Sequence, residues 1–141
     1  MPRKSIASDL RRRVRQRAEN RCEYCHYPQV ACYAAFHCDH FISDARGGST
    51  DFDNLVFACP TCNASKHARV TALDRATGQV VPLFNPRTDS WHDHFEWSES
   101  GLKLLPRTPC GRVTIRLLRM NRRGVAVVRS MLIELGLHPA D

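Results

Sequence analysis

The order of local signals in this chain argues for an α+β protein built in two parts. A helical stripe, an extended stretch, a polar loop and a second helical stretch follow one another up to about residue 70; beyond it, turns, prolines and alternating segments replace that order. Two CxxC pairs, Cys22/Cys25 and Cys59/Cys62, bracket most of the first part. Four cysteines in that pattern are the donor set of a closed tetrahedral zinc site. The expectation is a zinc-stapled unit over 1–72 that includes a basic N-terminal helix, and a small C-terminal α+β accessory lobe over 73–141 packed on it.

Each element has its own reason. Ser8-Asp9 offers an N-cap, and Leu10, Val14 and Ala18 recur every four residues, which predicts a helix over 9–19 with an arginine-rich exposed side. "ACYAAFHCDHFI" (31–42) is rich in aromatics and reads as a strand, half of a hairpin. "SDARGGSTDFD" (43–53) carries turn chemistry throughout, and "NLVFA" (54–58) is short and apolar. Pro60 opens a second helix over 60–70.

In the second part, "TGQVVPLFNPRTDSW" mixes turn and extended signals, and "FEWSESGLKLLP" alternates like a hairpin. "GRVTIRLLRM" fits a strand or the start of a helix. Asn121 is a candidate cap for a final helix with Val125, Val128, Leu132 and Leu135 on one face, and Gly136 stops it.

Charge narrows the partners. The net charge is +7, and residues 1–21 hold eight Lys/Arg against Asp9 and Glu19. Residues 107–129 hold seven Arg and no acid. Two basic flanks around a balanced centre suit a polyanion. No apolar run approaches the ~18–20 residues of a membrane helix, and the N-terminus lacks a secretory apolar core. A cytoplasmic chain with no membrane role is the expectation. Seven cysteines is an odd number, so a disulfide framework is not expected; Cys32, Cys38 and Cys110 are assigned to core filling.

Thirty-three residues separate Cys25 from Cys59, so the insert must be a structured excursion between the halves of the site. A closed four-thiolate site offers no position to water or substrate. Any chemistry therefore belongs to the insert, where Asp39-His40, a glycine loop and Asn54 precede Cys59, with Asn63 and Lys66 just after Cys62. Successive strand residues face opposite sides, so Asp39 and His40 are expected to serve two tasks. "WHDHFEW" (91–97) places His92 and His94 at metal-pair spacing, but Trp91, Phe95 and Trp97 favour an aromatic cluster.

"CEYC" and "CDHFISDARGGSTDFDNLVFACPTCNASK", with CxxC, DH, glycine loop, N-L and CxxC-N-x-x-K in order, resemble the HNH nucleases, whose core is a ββα-metal finger. The resemblance covers roughly residues 20–70. It implies that His40 is the general base, a role suited to an imidazole that titrates near neutral pH. It implies that Asp39 is one ligand of a catalytic divalent ion and Asn63, where the pattern usually has His, the second. Asn54 matches the family's middle Asn, with a structural role in pinning the loop. Lys66 and Arg69 are candidate phosphate-binding residues. Asp plus Asn suits Mg2+ or Mn2+. The expected function is metal-dependent hydrolysis of DNA, double-stranded, by a monomer, with a dimer as the alternative state. The competing expectation is a non-catalytic zinc-stapled nucleic-acid-binding module.

Overall fold

A computed structural model describes residues 5–140. Arg3 and Lys4 of the basic flank, and the two ends of the expected 1–72 and 73–141 parts, lie outside the described residues. The fold is α+β, and it resolves into two compact units. The first runs up to Val70 and takes in Asn85–Thr88; the second is Thr71–Phe84 together with the chain from Asp89 onward.

The first unit begins with α1 (Ser8–Arg17), which buries Val14. The expected Ser8-Asp9 cap is not used: Ala7 holds the N-cap position, and Asp9 sits in the first turn, where it pairs with Arg12. The helix ends as Glu19 and Asn20 adopt positive φ. Arg17 ties it down by donating to the carbonyls of Phe52 and Leu55. Strand β1 (His37–His40) pairs antiparallel with β2 (Leu55–Ala58), with His40 opposite Leu55 and His37 opposite Ala58. All four β2 residues are buried.

The strand is shorter than the expected 31–42. Gln29 accounts for the difference: its side chain donates to the carbonyls of Cys32 and Ala34 and accepts from the Phe36 amide, so these backbone groups are satisfied outside a ladder. Helix α2 (Pro60–Lys66) follows β2. Cys59 Sγ caps it by accepting from Cys62 N, and it stops at His67, whose φ is 53°.

In the second unit, β3 (Thr71–Asp74) pairs with β4 (Gln79–Pro82), and α3 (Trp91–His94) leads into the hairpin of β5 (Phe95–Trp97) and β6 (Leu104–Pro106). The ambiguous 111–120 stretch is helix α4 (Pro109–Leu117). Its start signal lies just upstream: Thr108 accepts from Gly111 N, and Pro109 occupies the first turn. A Cβ on Gly111 would lie 2.1 Å from the His94 carbonyl oxygen, so only glycine lets this turn approach α3.

The last helix, α5 (Val125–Glu134), starts at Gly124 rather than Asn121. Asn121 instead bonds both backbone groups of Leu104. The buried face of α5 carries Val125, Arg129 and Leu132, whereas Leu135 is exposed. Arg129 donates to Leu102 O, Asn121 Oδ1 and Met120 O, with its guanidinium over the Trp97 ring. Rings of Trp91, Phe95 and Trp97 gather beside it, with centroids 5.1 Å and 5.8 Å from that of Trp91. Among the described residues, no helix is long and apolar enough to cross a membrane.

Asp74 anchors α4 to β3. It is 1% exposed, and both its oxygens accept from Arg112 at 2.8 Å. The Arg112 guanidinium holds its carboxyl well below the usual range. A depressed carboxyl stabilises the fold above its unfolded pKa, near 4, and that stability is lost as pH falls through the folded pKa. Asp74→Asn is expected to melt below wild type at pH 7, with the gap shrinking steadily below pH 4; thermal melts of both proteins from pH 7 to 2.5 check this.

Candidate active site

The two CxxC turns converge. Cys22, Cys25, Cys59 and Cys62 are all buried, and their sulfurs lie within 4.8 Å of one another. Cys25 Sγ and Cys59 Sγ are 3.8 Å apart. Each turn also points an amide at its first sulfur, Cys25 N to Cys22 Sγ at 3.5 Å and Cys62 N to Cys59 Sγ at 3.4 Å. Burial raises the Cys22 thiol, while hydrogen bonds from the neighbouring thiols push Cys59 down. Four buried sulfur donors around one point fit zinc. Glu23, inside the first turn, accepts from Phe57 N and pairs with Arg87, so the turn is also tied to β2 and to Asn85–Thr88.

Strand β1 ends at His40, and Cys59 of the sulfur cluster caps α2. Between them opens a cleft of about 220 Å³, lined among others by Asp39, His40, Asp44, Asn63 and His67. The structure thus brings together Asp39, His40 and Asn63. Asp39 and His40 do not part to opposite sides as strand alternation predicts. His40 is the last residue of β1, and Asp39 Oδ1 turns back to accept from His40 N at 2.8 Å, lying 3.6 Å from His40 Nδ1. His40 is 8% exposed, and its Nε2 is 2.9 Å from Thr50 Oγ1.

Asn54 clasps the loop that carries Thr50. Its Nδ2 donates to Ile42 O at 3.0 Å and to Ser49 O at 2.7 Å, and its Oδ1 accepts from Ile42 N at 3.0 Å. Gly48 fits beneath this clasp; a Cβ there would lie 1.7 Å from Ile42 O. The loop is therefore held at both ends by one amide side chain.

Lys66 and Arg69 stand elsewhere. Lys66 was expected to face phosphate, but it is 4% exposed; its Nζ donates to Phe41 O at 2.8 Å and lies 4.4 Å from the Phe41 ring centroid. The physical reason is its place at the inner end of α2, where a long stem is packed rather than solvated. Arg69 is exposed and lines neither cleft of the unit. Thr50, Asp44 and His67 also stand at the site, and no motif in the sequence points to them. Thr50 lies ten positions from His40, and no periodicity links them. A second opening, about 340 Å³, lies toward α1 and shares Asp39 and His40 with the first.

In the second unit, Asp89, His94 and Cys110 each bring one ligand-type atom within 4.8 Å of the others. His94 Nδ1 is engaged there by Thr108 Oγ1 at 2.6 Å.

Comparison with known proteins bears on the first unit only. Residues 22–69 match the family model for HNH endonuclease. No curated protein and no solved structure matches the chain. The matched segment begins at the first zinc-type cysteine and ends at Arg69, so it contains the sulfur cluster and the Asp39–Asn63 cleft but not α1.

Burial lowers the Lys66 ammonium to about 8. The sign follows directly: between the folded value and the unfolded one near 10.5, the unfolded chain binds more protons, so stability rises with pH across that window. Relative to Lys66→Met, the wild type is expected to gain thermal stability from pH 8 to 10, with a constant gap below pH 7. Paired melting curves at pH 6.5, 8 and 10 measure it, and parallel curves throughout would contradict the buried ammonium.

Proposed function

We propose, taking the HNH endonuclease match over residues 22–69 as premise, that this chain hydrolyses DNA phosphodiester bonds with the aid of a divalent metal ion. The observation that carries the reading is the setting of His40. Its ring is held at Nε2 by Thr50, while Nδ1 stands beside Asp39 at a cleft that also receives Asn63.

The chain's residues divide the work. The mechanism uses the tautomer in which Nε2–H is directed at Thr50 Oγ1 and the lone pair stands on Nδ1. Nδ1 takes a proton from water as that water attacks phosphorus. The new P–O bond forms as the bond to the leaving oxygen breaks in line with it. Asn54, through its three hydrogen bonds, keeps the Thr50 loop and hence the ring in place. Asp39 and Asn63 are the residues that would hold the divalent ion, and Asp44 adds a carboxylate to the same cleft. Carboxylate and amide oxygens are hard donors suited to Mg2+ or Mn2+. When bound, such an ion supplies polarisation of the phosphate and charge neutralisation at the leaving oxygen.

Zinc on the four cysteines acts as a staple, since a closed thiolate set takes no substrate. Lys66 serves the same cleft from below by fixing the Phe41 carbonyl next to His40. Arg69, exposed after α2, remains a candidate phosphate contact. The second unit is an accessory lobe, and several of its arginines have structural duties: Arg112 on Asp74, Arg116 on Leu73 O and Arg129 inside α5.

Cleavage of supercoiled plasmid tests the reading. With Mg2+ or Mn2+, the wild type is expected to cut and His40→Ala to lose ~100-fold or more in rate while keeping fold and zinc. Thr50→Val is expected to lose about tenfold, with Thr50→Ser recovering most of it. A His40→Ala protein that cuts at the wild-type rate rejects the mechanism, and a wild type that binds DNA without cutting it under any divalent ion rejects the enzyme. Metal analysis of Cys62→Ser should find almost no zinc, with circular dichroism showing loss of the first unit's structure.

A further inference from the structure

Helix α1 carries five arginines, and the structure sorts them. Arg12 pairs with Asp9. Arg13 and Arg17 stack on the Phe52 ring, at 4.6 and 3.8 Å from its centroid, and Arg17 also donates to two carbonyls. Arg11 and Arg15 are left: both are exposed, and among the described residues neither side chain makes a hydrogen bond or an ion pair. They lie four positions apart, one helical turn, on the same face. Both line the 340 Å³ cleft whose other wall carries His37, Asp39 and His40.

We infer that Arg11 and Arg15 form a phosphate-binding subsite for the DNA backbone, one that holds a stretch flanking the bond to be cut and leads it into the Asp39–His40 centre. The subsite rests on the proposed nuclease reading for its partner, but its geometry lies outside the matched segment 22–69. A single small anion would need only one of the two guanidinium groups. Two of them a helical turn apart, in a cleft that Asp39 and His40 also line, suit a chain of phosphates. Guanidinium groups bind phosphate oxygens in a bidentate manner, and these two give up no side-chain partner among the described residues when they do so. The cleft that runs to α1 and the cleft that runs to α2 share Asp39 and His40. The first takes backbone, and the second holds the ion.

The experiment is DNA binding by the full, zinc-loaded chain with no Mg2+ or Mn2+ present, followed by fluorescence anisotropy of a labelled duplex from 50 to 200 mM KCl. Arg11→Gln/Arg15→Gln is compared with wild type and with Arg12→Gln, whose arginine is occupied by Asp9; zinc content and circular dichroism confirm that all three are folded. The double variant is expected to bind ~10-fold or more weakly at 50 mM salt. Its slope of log K against log salt should be shallower by about 2, close to 0.9 for each phosphate that is no longer neutralised. Arg12→Gln should leave the slope nearly unchanged. An unchanged slope in the double variant overturns the subsite, as does an equal loss in Arg12→Gln or a wild type that binds no duplex at 50 mM. A wild type that binds with the expected slope but never cuts plasmid rejects the nuclease reading and leaves the subsite standing.

Discussion

Two chain segments separated by thirty-three residues meet at four buried sulfurs, and the cleft takes its shape from that meeting. The CxxC turn after α1 and the one that caps α2 bring the end of β1 against the start of α2. A small unit has a small apolar core, so an ion held by four such cysteines would do more for it than for a larger domain. The hairpin holds Asp39 and His40, α2 holds Asn63, and the intervening loop is folded back by Asn54.

Sequence carried the parts of this arrangement that depend on spacing and residue type. The cysteine pairs, the Asp39-His40 doublet and Asn63 are each distinctive and close to one another in the chain, and the structure gathers the cysteines at one point and the other three residues at one cleft. It was weaker where packing decides. Lys66 reads as a solvated cation, yet a desolvated ammonium is tolerated because a carbonyl and a ring face offset part of the cost; a cation over an aromatic contributes about 0.5–2 kcal/mol. Arg129 reads as one of a basic set, yet it is buried with three acceptors and the Trp97 ring. Thr50 was illegible because its relation to His40 exists only after the loop has closed. The 111–120 stretch was ambiguous on apolar pattern alone; Thr108-Pro109 decides it, through a cap rather than a periodicity.

The arginines make the same point from the other side. Their count suggests a charged surface, but a count does not distinguish a guanidinium that holds the fold from one that is available. Arg17 and Arg87 belong to the first unit's framework through Phe52, Leu55 and Glu23, and Arg112 belongs to the second's through Asp74. Subtracting such residues leaves a smaller and more directed positive surface than net charge implies.

The segment Asn85–Thr88 shows where autonomy ends. It lies far along the chain from the sulfur cluster, yet Arg87 pairs with Glu23, the residue lodged inside the first CxxC turn. A fragment cut after Val70 would keep every cysteine of the cluster and the whole family-matched stretch, but it would remove Arg87 from the Glu23 carboxylate, which also receives the Phe57 amide, and leave it only Arg17 at 3.9 Å. The first unit is therefore longer than the stretch by which it is recognised, and its boundary is discontinuous in sequence.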